Sequence, residues 1–416
     1  MTQVDVAVIG AGIAGLCCAR KLHRHGIDVR VYEASDDVGG RMRTEYQDGF
    51  ILDRGFQVLL TSYPEAQSVL DMNLLQLNLF EPGAIVRYDN DFHLIADPMR
   101  MIGSGLQTLF TPIGALSDKF RIALLRGDVC NPPLHSLFLR TEQTTVRRLK
   151  EFGFSDAMID RFFRPFFGGV FLESELSTSS RMFDFLFRMF SQGVAALPQN
   201  GMAAAPKQLA NEVPADRILC NAAVDAVTDA GVRLQSGEEI KARSVVIAAD
   251  GADAAALHQS GPPKAFHSVS CLYFAADQSP INRPILVLNG NGAGPINNIC
   301  APSDVAPSYA PAGQALISVS VLGNHGMDGN GLLRQVRSQL TEWYGGVVND
   351  WRHLKTISIE RALPKQTPPV LQMPQRPVRL RPGLYICGDH VDNASINGAM
   401  VSGRRAAEAV IEDMSN

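Results

Sequence analysis

The chain has 416 residues, 46% of them hydrophobic and 19% charged, with 38 basic against 42 acidic side chains and a formal net charge of -4. That is enough chain to bury a core in two domains with an additional lobe, and its dispersed, slightly acidic charge offers no basic field, so no nucleic-acid partner is expected. The seven cysteines form no CxxC pair and the nine histidines no HExxH-like pair, so neither a disulfide framework nor a metal site is expected.

Val4 to Ile9 is a β-branched run suited to a buried parallel strand, and Gly10-Ala11-Gly12-Ile13-Ala14-Gly15 follows at once. Leu16, Ala19 and Leu22 then recur at helical spacing between Ala14 and His25, and Val29 and Val31 begin a second strand that ends in Glu33. Strand, glycine turn, helix, strand and acid make a dinucleotide fingerprint. Gly10 permits the tight turn, Gly12 lets the backbone approach a pyrophosphate held by the free N–H groups of the helix start, and Gly15 lets helix and sheet pack closely. Glu33, eighteen residues beyond Gly15, stands where a carboxylate takes the adenosine ribose and disfavours a 2′-phosphate.

Tyr63 to Leu79 reads as a helix with Pro64 in its first turn. Ile85 to Tyr88 and Phe92 to Ile95 read as a hairpin turning at Asp89-Asn90-Asp91, and the chain is expected to cross into a second domain near it. Residues 98 to 192 read as largely helical and rich in phenylalanine: Leu106 to Phe110, Ile113 to Leu125, a break at Asn131-Pro132-Pro133, Ser136 to Phe152 with a helix starting in Thr141 to Val146 and presenting Arg147, Arg148 and Lys150, and two aromatic stretches through Phe162, Phe163, Phe166, Phe167 and Phe171 and from Met182 to Phe190. Core packing explains such density, and so does a pocket for a bulky apolar molecule. Phe162, Phe166 and Phe185, or close neighbours on their helical faces, are expected to line such a pocket.

An amphipathic helix with Pro206, Leu209 and Ala210 follows, then strands from Cys220 to Val227, Gly231 to Leu234 and Ser244 to Ala249. Ser268 to Phe274, Ile285 to Leu288 and Ala315 to Val321 are expected strands, Gly290 to Pro295 and Ala301 to Gly313 loops, and Leu332 to Trp343 a helix, after which Trp351 leads back to the first domain. Arg381 to His390 reads as a closing strand ending in Gly388-Asp389, followed by Ala394 to Gly403 and a helix carrying Arg404, Arg405 and Val410.

The segments Ala34 to Arg43 with Gly39-Gly40-Arg41, Leu52 to Gln57 with Arg54-Gly55-Phe56, and Arg381 to Gly403 together resemble the flavoprotein family that holds amine oxidases, protoporphyrinogen oxidases and carotenoid desaturases. The resemblance covers nearly the whole chain. It implies an α/β fold, a doubly wound Rossmann-like FAD-binding domain (1-88, 193-262 and 356-416) with an inserted α+β substrate domain and helical lobe (89-192 and 263-355). The cofactor it implies is non-covalent FAD. In that family Ala34, Gly40 and Arg41 lie along the cofactor, Gly55 and Phe56 beside the flavin ring, and the backbone near Val224 at the adenine. Asp389 after Gly388 holds the ribityl-phosphate region, and the helix start at Asn397, Gly398 and Ala399 points at the N1 and C2 carbonyl side of the flavin, where reduced flavin gathers negative charge.

No catalytic acid or base is assigned. Arg54, Arg164, His267, Tyr309, His353 and Lys365 are polar residues within reach of a pocket. Desaturation or oxidation of an apolar or conjugated molecule, isoprenoid- or porphyrinogen-like, depends mostly on placing the substrate at the flavin, and this is the preferred expectation. A flavin amine oxidase is the alternative, and a non-catalytic, flavin-stabilised binding or assembly protein a second one, to be told apart by whether a continuous cavity reaches the ring. The electron acceptor is left open between oxygen and a quinone. With no signal segment before Val4 and no membrane-length apolar run, a cytoplasmic protein is expected, compatible with peripheral membrane contact.

Overall fold

A computed structural model describes residues 3–96, 111–258, 265–323, 326 and 329–415. The expected segment Leu106 to Phe110 lies outside them. Strand β1 (Gln3–Ile9), helix α1 (Ile13–Arg24) and β2 (Val29–Tyr32) form in the anticipated order. β1 runs parallel to β2 on one side and to β13 (Glu239–Ile247) on the other, which is why Val6, Ala7 and Val8 are fully shielded. β10 (Ile218–Leu219) extends the sheet beyond β2, and β20 (Leu384–Ile386) pairs with the second half of β13, again in parallel. The first half of β13 instead takes β12 (Gly231–Leu234) antiparallel, followed by β11 (Val224–Thr228), while β19 (Arg379–Arg381) pairs with β20. Strands far apart in the chain thus bring Ile9, Tyr32, Ile247 and Ile386 to one edge, and ligands of open α/β sheets bind beyond such carboxyl ends. Helix α11 (Ile396–Ser415) packs on α1, with Gly403 against the Ala14 carbonyl.

The hairpin β3 (Thr44–Gln47) and β4 (Phe50–Asp53) and a small sheet of β5 (Leu59–Leu60), β9 (Ala195–Pro198) and β6 (Leu77–Leu79) bridge the first sheet and the rest. The helix expected from Tyr63 to Leu79 is shorter: α2 covers Pro64–Val69, and Leu70 is extended. Leu77–Leu79 is drawn into strand pairing with β9, a tertiary contact that overrides the local helical pattern.

The second sheet runs β18 (Arg352–Pro364), β14 (Phe266–Ala276), β17 (Ala315–Leu322), β16 (Ile296–Cys300), β15 (Leu286–Asn289), β7 (Gly83–Tyr88) and β8 (Asp91–Ala96). β7 and β8 meet through Asp89-Asn90, both at positive φ, a two-residue turn of the kind that matches hairpin twist. Residue 88 therefore ends the first strand of a hairpin that belongs wholly to this sheet, and residue 356 falls inside β18. Two of its strands differ from expectation. β16 occupies the segment between the two expected loops, to which no element was assigned, and β18 occupies residues read as a return path. Alternate residues divide this sheet's faces: Leu272, Phe274, Ile317 and Val319 pack toward α10 (Gly329–Tyr344), while Cys271, Tyr273 and Leu316 join the main core.

The helical lobe comprises α3 (Leu116–Cys130), α4 (Leu134–Leu137), α5 (Thr145–Phe152), α6 (Arg164–Phe171) and α7 (Ser180–Gln192), with α8 (Ala204–Ala210) and α9 (Gly251–Leu257) back at the first sheet. α5 starts at Thr145, within the Thr141 to Val146 stretch expected to open a helix, and the Thr144 hydroxyl accepts from the Arg147 N–H. One π-helical turn, Ile159–Phe163, leads into α6 and shifts the register of the aromatic residues there.

Candidate functional site

One continuous cavity of about 1320 Å³ runs from the carboxyl edge of the first sheet, past β4 and α11, into the helical lobe. At its first-sheet end it is bordered by Gly10, Gly12, Ala14, Glu33, Ala34 and Val224. Gly10 takes φ +104°, and a Cβ there would stand 2.9 Å from the Ala248 carbonyl oxygen, so only glycine makes this turn without strain. A Cβ on Gly12 would meet nothing within 4 Å, so the cavity reaches the backbone itself where α1 begins. The Glu33 carboxylate is nearly buried, accepting from Ala11 N at 2.7 Å, Ser35 N at 2.9 Å and the Ser35 hydroxyl at 2.5 Å. These bonds fix its direction and leave an acceptor position toward the cavity.

In the middle, Gly40, Arg41, Gly55, Phe56, Gly388 and Asp389 line the walls. Arg41 Nη1 lies 2.8 Å from Asp389 Oδ2 and donates to the Ala362 carbonyl at 3.0 Å. Burial pushes the Asp389 carboxyl up, but the Arg41 charge and hydrogen bond outweigh it and hold the group below its ordinary value. Its other oxygen, Oδ1, is buried with no hydrogen-bond partner among the described residues. The His390 ring nitrogen Nδ1 lies 4.0 Å from it.

Three residues of the closing and opening motifs do not reach the cavity. Gly15 works from behind, since a Cβ there would stand 2.1 Å from the Gly10 carbonyl oxygen. The Asn397 side chain accepts from Glu65 N at 3.0 Å, which ties α11 to α2. Gly398 has the Asn393 carbonyl within 2.0 Å of where its Cβ would be, and Ile396 and Ala399 are the α11 residues that border the cavity.

The far arm is aromatic. Phe162, Phe166 and Phe167 line it together with Leu186, Phe187 and Phe190 of α7, the Phe166 ring packing edge-on against Phe190 at 5.2 Å. Phe185 does not: it is fully buried, its ring stacked on Tyr63 at 6.2 Å and packed on Phe138 at 5.7 Å. α3 contributes Lys119, Ile122, Ala123 and Arg126 to the same arm, and the second sheet contributes Asn298 and Ser320. The sequence marks the two aromatic stretches but not which ring of α7 faces the cavity, and nothing in it marked Asn298, Ser320 or Ser358-Ile359-Glu360-Arg361 as cavity wall.

Of the six polar residues singled out from the sequence, Arg54 alone lines the cavity. Tyr309 donates to Asp53 Oδ2 at 2.7 Å, and Asp53 also accepts from the Thr44 hydroxyl and Met202 N. Burial pushes the Asp53 carboxyl up against those three bonds. This buried cluster joins β4, α8 and the second sheet, so the charge of Asp53 is structural. Arg164 pairs with Asp160 and binds the Ser174 carbonyl, and His353 bonds the Thr356 hydroxyl. His267 is half-buried on β14 and Lys365 is exposed.

The profile of the flavin containing amine oxidoreductases matches residues 13–411. The chain belongs to that family. That family is one of flavin-containing oxidoreductases, and this member has a Rossmann-like region with an inserted subdomain. Among sequence relatives, it is 30% identical over 170 residues to protoporphyrinogen oxidase 2 of Arabidopsis thaliana, a match that spans 40% of this chain and 32% of the relative. The structure resembles a putrescine oxidase at 15% identity and a TM-score of 0.73, each chain covered to 99%. It also resembles cyclohexylamine oxidase from Brevibacterium oxydans at 18% identity and a TM-score of 0.72, over 99% of this chain and 100% of that one. At such identity these two likenesses are of fold. Among the described residues no three His, Cys, Asp or Glu side chains are grouped to hold a metal ion, and no helix is long and apolar enough to cross a membrane.

Proposed function

We propose that this flavoprotein desaturates or oxidises a hydrophobic or conjugated small molecule, isoprenoid- or porphyrinogen-like, with FAD held non-covalently in the cavity. When bound, the flavin supplies the acceptor for a hydride or two electrons. The N–H groups at the start of α1, beside Gly12 and Ala14, suit the pyrophosphate, and Glu33 suits the ribose hydroxyls. Ala34 and the backbone at Val224 border the adenine end. Arg41 lends positive charge while remaining paired with Asp389, which borders the cavity beside Gly388 where the ribityl-phosphate region would lie. Gly40, Gly55 and Phe56 give close walls, and the N-terminus of α11 at Ile396 and Ala399 offers N–H groups and a partial positive field to a carbonyl oxygen.

The observation that carries the substrate class is the continuity of that cradle with an arm walled by Phe162, Phe166, Phe167, Phe187 and Phe190. Such an arm binds by excluding water from apolar surface, and a cavity that continues past the cofactor cradle favours an enzyme over a binding protein. Next to it, Leu116, Phe120 and Leu124 stand one turn apart on α3 at 65%, 68% and 52% exposure. This ridge supports peripheral docking on a bilayer, from which an apolar substrate would enter. Anaerobic flavin bleaching tests the reading with prenyl, carotenoid and porphyrinogen compounds against aliphatic and aromatic amines. Bleaching by an apolar compound with a desaturated product supports it; bleaching by amines alone, with imine or aldehyde product, replaces it with an amine oxidase.

A further inference from the structure

We propose that Asn298 and Ser320 form a hydrogen-bonding seat for one oxygen atom of the substrate, so that the apolar molecule taken by this cavity carries a carbonyl or hydroxyl group. This rests on the apolar arm being the substrate site, and it narrows the substrate class.

Asn298 on β16 and Ser320 on β17 are direct partners in the strand register. Both border the cavity, and both are nearly buried, at 3% and 5% exposure. Their sheet neighbours Ile299, Val319 and Val321 are aliphatic and turn to the opposite face. On the cavity face, an amide and a hydroxyl in an aromatic wall lose hydration unless something bonds them.

The protein meets only part of that demand. Asn298 Oδ1 accepts from Asn297 Nδ2 at 2.9 Å, and Asn297 Nδ2 also donates to the Pro165 carbonyl at 3.0 Å. Those bonds stitch β16 to α6 and account for the carbonyl end of the Asn298 amide. The other end makes one long contact, from Asn298 Nδ2 to Ser320 Oγ at 3.4 Å. In that contact the serine oxygen accepts. Its own hydrogen, and the second hydrogen of the Asn298 amide, are therefore two donors for which the described residues provide no acceptor.

The opposite wall keeps the pair uncovered. Gly169 of α6 also borders the cavity, and a Cβ there would stand 3.1 Å from Asn298 Oδ1 and 2.9 Å from Asn297 Nδ2. Any larger residue would press on the amides. Phe166, Phe167, Val170 and Leu172, from the same segment as Gly169, also line the cavity and carry no side-chain group to hydrogen-bond. Two adjacent donors in such a wall match a single oxygen with two lone pairs. A hydrocarbon lying there would leave both unpaired, and a site built this way rejects the analogue that lacks the polar atom.

Farnesene, farnesol and farnesal share one prenyl skeleton and differ in the oxygen, so they serve as probes with the FAD-loaded protein, binding being read by titration calorimetry. The unaltered protein is expected to hold farnesol and farnesal at least about tenfold tighter than farnesene. Ser320→Ala should bring the oxygenated probes to within about twofold of farnesene while leaving farnesene unchanged, and Ser320→Thr, which keeps the hydroxyl, should retain the preference. Asn298→Leu also removes the amide contact to Asn297; Ser320→Ala leaves that contact in place and decides the question if Asn298→Leu fails to fold. Equal binding of all three probes by the unaltered protein, or a loss in Ser320→Ala shared by farnesene, overturns the seat while leaving the apolar arm intact. Binding of none of them overturns the apolar reading itself.

Discussion

Gly12→Ala and Gly15→Ala separate two roles that the glycine turn combines. At Gly15 a Cβ would stand 2.1 Å from the Gly10 carbonyl oxygen and 3.0 Å from Ala248 Cβ. Backbone cannot rotate out of the way, so α1 must retreat by roughly an ångström, and overpacking of this kind costs about 1–3 kcal/mol. A contact as short as 2.1 Å takes the upper end of that range and helix propensity returns at most about 1 kcal/mol, leaving a net loss of about 2 kcal/mol. At Gly12 the backbone is at φ -70° and ψ 173°, which any residue adopts, and a Cβ meets nothing within 4 Å. Stability without cofactor should therefore change by less than about 1 kcal/mol. The added methyl nevertheless projects where a pyrophosphate would approach the N–H groups of α1. Losing one charge-assisted hydrogen bond, worth about 1.5–3 kcal/mol, lowers FAD affinity by about 10- to 100-fold. Thermal melting of the FAD-free protein and FAD titration followed by fluorescence quenching measure the two effects apart. Full FAD affinity in a folded Gly12→Ala protein would refute the placement of the pyrophosphate, and an unchanged melting point in Gly15→Ala would refute the packing argument.

Asp389→Asn should weaken the Arg41 pair and destabilise the protein at neutral pH by about 1–3 kcal/mol, the figure being reduced because part of the Arg41 side chain reaches solvent. Asp389 is held below its ordinary value, so it adds stability that is present above the unfolded pKa and is lost as pH falls through the folded one; melting from about pH 6 to about pH 3 should show a shallower acid limb in Asp389→Asn. Phe185→Ala should cost about 3–5 kcal/mol in denaturant titrations with little effect on the affinity of an apolar ligand, whereas Phe166→Ala should change that affinity more than stability; the reverse order would move the arm to the other side of α7. Replacing Leu116, Phe120 and Leu124 together by serine should abolish co-sedimentation with phosphatidylglycerol–phosphatidylcholine vesicles and leave FAD content unchanged, and undiminished sedimentation would remove the ridge from membrane docking.

Much of the first sheet is legible because its signals are local. The β-branched run of β1, the glycines and Glu33 lie within one strand-helix-strand unit, and Asp89-Asn90 specifies its hairpin through two residues that tolerate positive φ. β18 was hidden for a physical reason. It is an edge strand held along β14 by backbone pairing, and its sequence, RHLKTISIERALP, alternates poorly because many of its side chains remain partly exposed. Leu77–Leu79 likewise becomes a strand only because β9 lies beside it.

The site divides in the same way. Gly10, Gly12, Glu33 and Gly388-Asp389 could be named from the chain because each motif carries its own chemistry. The pairing of Arg41 with Asp389 could not be read, since it joins opposite ends of the sequence. Nor could the sequence tell which phenylalanines of α7 face the cavity: the stacking of Phe185 on Tyr63 turns that ring into the core and leaves Phe187 and Phe190 on the open side. Asn298 and Ser320 carry no motif at all. Only the β16–β17 register brings them together, because a site made by strand pairing has no sequence spacing of its own.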